Sequence, residues 1–170
     1  MTAASPDTPT EVREEPSALK LGSAVMVIGA VAFIAYAVWF FIRNFTGQFL
    51  EVGIGPEQVD VGRAQILAFS PQLYDYIRHL HIALSGFIAA TGLAAALLAW
   101  FGVRRGSVWA WVGAVVVPVV ALAVAIPSHY PYGLATFGHL GLIYLATAVF
   151  VVGALIALGG LRKLRTAADA

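Results

Sequence analysis

Four apolar stretches, each long enough to cross a lipid bilayer, occupy most of this 170-residue sequence. A helix rises about 1.5 Å per residue, so roughly 20 apolar residues cross a hydrocarbon layer about 30 Å thick. The composition agrees, because only 11% of the residues are charged against about 25% in soluble domains. We expect an all-α membrane protein whose four transmembrane helices, at about 17–44, 78–103, 108–127 and 134–161, form an up-down bundle.

The remaining segments are two polar tails and one loop. Residues 1–16 are acidic and contain proline, so they predict a disordered tail, and 164–170 form a C-terminal tail. Residues 45–77 form the one sizeable loop, in which "PEQVDVGRAQILAF" has the apolar spacing of a short amphipathic helix. Ser70 followed by Pro71 predicts the N-cap and first residue of the second long helix.

The distribution of basic residues predicts the orientation. If both termini and the turn at 104–107 share one side, that side holds seven of the ten basic residues, namely Arg13, Lys20, Arg104, Arg105, Arg162, Lys163 and Arg165. Positive charge concentrates on the cytoplasmic side of short loops, so both termini are predicted to be cytoplasmic. The loop 45–77 and all four histidines then lie at the outer interface.

The four histidines could form one site. His79 and His81 begin the second span, while His129 and His139 flank the turn before the fourth. Neutral imidazoles from different helices could bind a metal ion. However, residues two apart on a helix point about 200° apart, so His79 and His81 cannot both face one ion on a regular helix.

The sequence favours His81 over His79 as the inward residue. His81 shares a helix face with the small residues Ser85, Ala89, Gly92 and Ala96, a pattern typical of close helix packing in membranes. His81 with His139 is the pair to test as axial haem ligands. Asp75, one turn before His79, could orient that imidazole as an outer partner. Equally, all four histidines could be ordinary interfacial residues bonded to water or to carbonyl groups.

Several functional classes lack support in the sequence. The absence of cysteine excludes disulfides, iron–sulfur clusters and thiolate ligands. A net charge of +1 without a basic patch argues against nucleic-acid binding. No charged residue lies in the middle of a span, which argues against an ion pathway. The acidic residues of the outer loop, Glu51, Glu57 and Asp60, are expected to form a solvated face or a cover for the histidines.

Two segments carry a resemblance. The turn "AWFGVRRGSVWAWV" and the helix entry "SPQLYDYIRHLHIALSG" resemble those of uncharacterised small bacterial four-helix integral membrane proteins. The resemblance covers roughly residues 20–160. It implies four helices and a multi-pass protein of the bacterial plasma membrane, and it implies no activity or catalytic residue.

Three functional hypotheses remain open. The first is a structural or accessory membrane subunit without enzymatic activity, favoured because no catalytic motif is present. The second is a redox membrane protein that binds a transition metal or haem through the histidines. The third is a carrier of small molecules or lipids with an outward-facing cavity. The lipid bilayer is the expected partner, and a homo-oligomer or a larger membrane complex is an open alternative.

Overall fold

Four long helices and two short ones are present in the part of the chain that the structure describes. The structure, a computed structural model, describes residues 17–46 and 51–169. The helices are α1 (Ser17–Arg43), α2 (Pro56–Val59), α3 (Arg63–Phe69), α4 (Pro71–Leu97), α5 (Val108–His129) and α6 (Phe137–Ala168). In the described part of the chain, α1, α4 with its continuation to Arg105, α5 and α6 are long and apolar enough to cross a membrane.

Polar caps fix where three of the long helices begin. The hydroxyl groups of Ser70, Ser107 and Thr136 accept hydrogen bonds from backbone N–H groups in the first turns of α4, α5 and α6. Each cap satisfies a donor that the helix itself leaves unpaired. Ser70 and Pro71 therefore start α4 as the sequence predicts.

Glycine allows α1 and α6 to pack closely along their length. A Cβ atom at Gly22 would lie 2.5 Å from the Ala157 nitrogen, and one at Gly153 would lie 2.5 Å from the Met26 nitrogen. On its other side α1 packs against α4, where Gly92 faces the Ala30 carbonyl oxygen. Close packing of this kind is what small residues provide in membrane helices. Helix α1 therefore forms the centre of the bundle, between α4 and α6.

The bundle has two distinct ends. We call the end that carries Arg104, Arg105, Arg162 and Lys163 the basic end. Here Leu19 near the start of α1 packs against Gly160 near the end of α6, beside the turn at Gly106. At the histidine end lie the C-termini of α1 and α5 and the N-termini of α4 and α6. The connecting loop 51–70 lies at this end, because Gly53 contacts Gly138.

The observed boundaries differ from the predicted ones in α4, α5, α6 and the outer loop. Helix α4 continues through a π-helical segment (Leu98–Gly102) and a 3₁₀ turn (Val103–Arg105). Helix α5 continues through Pro127 to His129, and α6 begins at Phe137 rather than near 134. The outer loop contains two short helices instead of one. The tail 1–16, predicted to be disordered, lies outside the described residues.

Candidate metal site at the histidine end

Glu51 is the centre of the polar cluster at this end of the bundle. Its Oε2 atom lies 3.1 Å from Nε2 of His139, and its Oε1 atom lies 3.8 Å from Nε2 of His81. The His129 ring lies beside the His139 ring, with 4.8 Å between their centroids. Three of the four histidines, from α4, α5 and α6, therefore gather around one carboxylate.

A tight turn positions Glu51. The N–H of Ile54 donates to the carbonyl of Glu51 (3.1 Å), and Gly53 has a φ of +75°. This third turn position favours glycine because side chains rarely adopt positive φ. We call residues 51–54 the strap. Its Ile54 side chain is buried, and Gly53 contacts the backbone of Gly138 at the start of α6.

The strap and the Thr136 cap together position His139. The backbone N–H of His139 donates to the Thr136 hydroxyl, and its side chain is only 2% exposed. Nδ1 of His139 lies 2.7 Å from the carbonyl oxygen of Val52 in the strap. Because a carbonyl only accepts hydrogen bonds, Nδ1 carries the proton and Nε2 faces Glu51.

His129 has the same arrangement at the end of α5. Its Nδ1 atom lies 2.6 Å from the carbonyl oxygen of Ala125, one turn earlier in the helix. Nδ1 therefore carries a proton, and the neutral form of the ring would have its lone pair on Nε2. A backbone bond at one ring nitrogen is the usual way in which proteins orient a histidine that binds a metal through the other.

The contact between His139 and Glu51 has the geometry of two ligands. Although Oε2 lies 3.1 Å from the buried Nε2, that nitrogen forms no hydrogen bond among the described residues. In the neutral form, with the ring proton on Nδ1, Nε2 and the carboxylate both present lone pairs, whereas in the imidazolium form the Nε2–H group donates to Oε2. A cation bound between or beside the two groups removes the repulsion of the neutral form. The ligand atoms of Glu51, His129 and His139 all lie within 4.8 Å of one another.

The cluster keeps Glu51 ionised. Burial by itself would raise the pKa of this carboxyl group, but the hydrogen-bonding contact with His139 and the positive charges of His139, His81 and His129 in their protonated forms outweigh burial. The pKa of Glu51 is therefore lowered below its ordinary value. A carboxylate that stays deprotonated is in the form required to bind a metal ion.

His81 lies inside the bundle but apart from the three converging ligand atoms. It packs against Phe40 of α1, with 5.2 Å between the ring centroids, and it faces Glu51. The small residues Ser85 and Gly92 on the same face of α4 are buried. The inward position predicted for His81 therefore matches its contacts.

The structure does not bring His79 into the cluster. His79 is exposed on α4, and neither it nor the exposed Asp75 contacts the group described above. The two-residue spacing gives the reason, since His81 already faces inward and the helix is regular at this point. The pair predicted from i, i+4 spacing is therefore not part of the cluster.

Glu51 is the residue that the sequence interpretation assigned to a solvated face or a cover. A signal was present, because Glu51 is the sole charged residue in the stretch "FTGQFLEVGIGP". A lone carboxylate among apolar residues at a membrane interface needs a cationic or hydrogen-bonding partner. No family model, curated protein or solved structure matches this chain.

Proposed function

We propose that the protein is an integral membrane protein that binds a divalent transition-metal ion through Glu51, His129 and His139. The observation that carries this proposal is the convergence of Glu51, His129 and His139, whose ligand atoms all lie within 4.8 Å of one another and whose two imidazoles each have Nδ1 bonded to a backbone carbonyl. Two imidazoles and a carboxylate suit Zn²⁺ and Cu²⁺. Sulfur ligands are absent from the cluster.

The distances support a small ion. Two ligands about 2.0–2.1 Å from a tetrahedral ion are about 3.3 Å apart, close to the 3.1 Å between Glu51 and His139. Three protein ligands leave a fourth position for water or an external ligand. A metal ion bound there would act as a Lewis acid toward that ligand.

Haem does not fit between His81 and His139. Two axial imidazoles bind iron from opposite faces of a porphyrin, so the macrocycle must lie between them. In this structure the Glu51 carboxylate contacts both Nε2 atoms and lies in that position. Two apolar grooves lie on the bundle surface, and neither is lined by any of the four histidines. The observations therefore favour the metal-ion hypothesis over haem.

We propose further that the basic end faces the cytoplasm and the histidine end faces the outside of a bacterial plasma membrane. Support comes from the clustered Arg and Lys at the basic end, by the preference of positive charge for cytoplasmic loops. The metal ion would then reach the site from the outer aqueous phase. Oligomerisation and accessory-subunit roles are compatible with such a site.

Metal analysis of the detergent-purified protein tests the proposal. We expect one Zn²⁺ or Cu²⁺ per chain and no Soret band. His139→Ala and Glu51→Gln should each lower the affinity at least about 100-fold, because each removes one of three ligands. His79→Ala is the matched control, since this imidazole is exposed on the same end of the bundle, and its affinity should equal that of the wild type.

Cu²⁺ provides a second measurement that counts the ligands. Its electron paramagnetic resonance spectrum should show coupling to two imidazole nitrogens in the wild type and to one in His129→Ala. A protein that binds no metal ion stoichiometrically, or that binds it equally well without Glu51 and His139, would disprove the proposed function.

A further inference from the structure

The two halves of α5 are held very differently. Ala110, Ala114 and Pro118 in the half near the basic end are buried, and Trp111 donates a hydrogen bond from Nε1 to the Ala154 carbonyl of α6 (2.9 Å). In residues 119–129 no residue is buried, and Val124 is 74% exposed. We call residues 119–129 the arm.

Pro118 lies at the junction of the two halves. Proline lacks the N–H that would bond to the carbonyl four residues earlier, so the helix has one hydrogen bond fewer where the arm begins. Such a position is a common point of helix bending. The anchored half ends and the exposed half starts at this residue.

A groove lies between α5 and α6 on both sides of the junction. Its volume is about 200 Å³, and it is lined on the α5 side by residues from Trp111 to Leu122 and on the α6 side by residues from Thr147 to Leu155. The neighbouring helix therefore leaves space beside the base of the arm. At the far end of the arm, the His129 ring lies 4.8 Å from the His139 ring.

The spacing of the ligand atoms indicates movement of the arm. Glu51 and His139 are already at a separation suited to one ion, so the wider spacings in the 4.8 Å group involve His129. Tetrahedral coordination needs about 3.3 Å between ligand atoms, so His129 would have to approach by at most about 1.5 Å. Glu51 is held by the strap and His139 by the start of α6, whereas His129 is carried by the arm.

We infer that the arm is a metal-responsive element: binding of the ion by Glu51 and His139 recruits His129, which bends α5 at Pro118 and fixes the arm against α6. This inference rests on the proposed metal site and adds its conformational consequence. Release of the ion frees the arm beside the groove. A change in metal supply outside the cell is thereby converted into a change on the membrane-facing surface of the bundle.

Spin-label distances in the full chain test the inference, and the absence of native cysteine makes labelling specific. One labelled pair, Val124→Cys with Leu84→Cys, joins the arm to α4. A control pair, Trp109→Cys with Leu97→Cys, joins the anchored half of α5 to α4. All four positions are exposed. Zn²⁺ binding by the labelled proteins is measured in parallel by calorimetry.

With Zn²⁺, the distance distribution of the arm pair should narrow and its mean should shift by about 1–2 Å, as the ligand spacing requires, while the control pair stays unchanged. The same change should be absent in His129→Ala. If Zn²⁺ binds but the arm pair does not respond, or if both pairs shift alike, the metal site stands and the hinged arm is wrong. If calorimetry detects no binding, the proposed function itself fails.

Discussion

Replacing Gly53 by alanine tests whether the strap positions the metal ligands, because this change leaves every ligand in place. At a φ of +75° a Cβ atom would overlap the Gly138 carbonyl and would lie 2.5 Å from the His139 nitrogen. Ordinary carbon contacts need about 3.5–4.0 Å, so the strap must move by about 1 Å. Glu51 and the carbonyl of Val52 both belong to the strap and would move with it.

The size of the effect follows from these two contacts. Losing the outer bond to a histidine ligand typically lowers metal affinity 10–100-fold, and misplacing the carboxylate adds to this loss. We expect Gly53→Ala to lower Zn²⁺ affinity about 100-fold, equivalent to about 2.7 kcal/mol. The assay is a competition titration against a coloured chelator, with thermal unfolding as a measure of the fold.

Gly133→Ala is the matched control for backbone strain. Gly133 also has a positive φ, of +71°, but a Cβ atom there would meet nothing within 4 Å. Both variants therefore carry the left-handed penalty of about 1–2 kcal/mol, and only Gly53→Ala displaces the strap. Equal Zn²⁺ affinities for the two alanine variants would refute the positioning role of the strap.

The remaining predictions concern protons and helix packing. Zn²⁺ affinity should fall as the pH decreases, because an imidazole must lose its second proton before it binds the ion, and calorimetry at several pH values would measure this. Without metal, the lowered pKa of Glu51 means that its carboxylate stabilises the fold above about pH 4.3 and loses this contribution as the pH falls. Thermal unfolding of Glu51→Gln should lack that acid dependence. Gly153→Ala should weaken the α1–α6 contact and lower the unfolding temperature, whereas Gly159→Ala, where a Cβ atom meets open space, should raise it slightly through better helix propensity.

The four helices that are long and apolar enough to cross a membrane could be predicted from the sequence, because length and hydropathy are properties of each segment alone. The Ser70 cap of α4 could be predicted for the same reason, since a cap acts over three residues. The π-helical segment at 98–102 could not be, because nothing in its apolar residues distinguishes it from an α-helix. Such segments depend on the packing around them.

The cluster could be predicted only in part. Helix order places His81, His129 and His139 at one end, and the opposite directions of side chains two apart separate His79 from His81. The position of Glu51 in the cluster depends on a contact with His139, 88 positions further along the chain, and on the fold of the strap. The spacing of apolar residues does not show how the strap folds back onto the start of α6. In the sequence, the Glu51 carboxylate is therefore indistinguishable from that of an ordinary loop residue.

His81 tests the difference between a residue that binds the metal ion and a residue that only orients a ligand of the ion. Its Nε2 atom lies 3.8 Å from Oε1 of Glu51, whereas His139 contacts the other oxygen, Oε2, at 3.1 Å. We therefore expect His81 to orient Glu51 rather than to bind the ion. His81→Gln should lower Zn²⁺ affinity about tenfold, as loss of an outer partner does, and leave two nitrogens in the Cu²⁺ spectrum. His129→Gln should leave one nitrogen. Three coupled nitrogens in the wild type, reduced to two by His81→Gln, would instead make His81 a ligand and would place ligands from α4, α5, α6 and the strap around one ion.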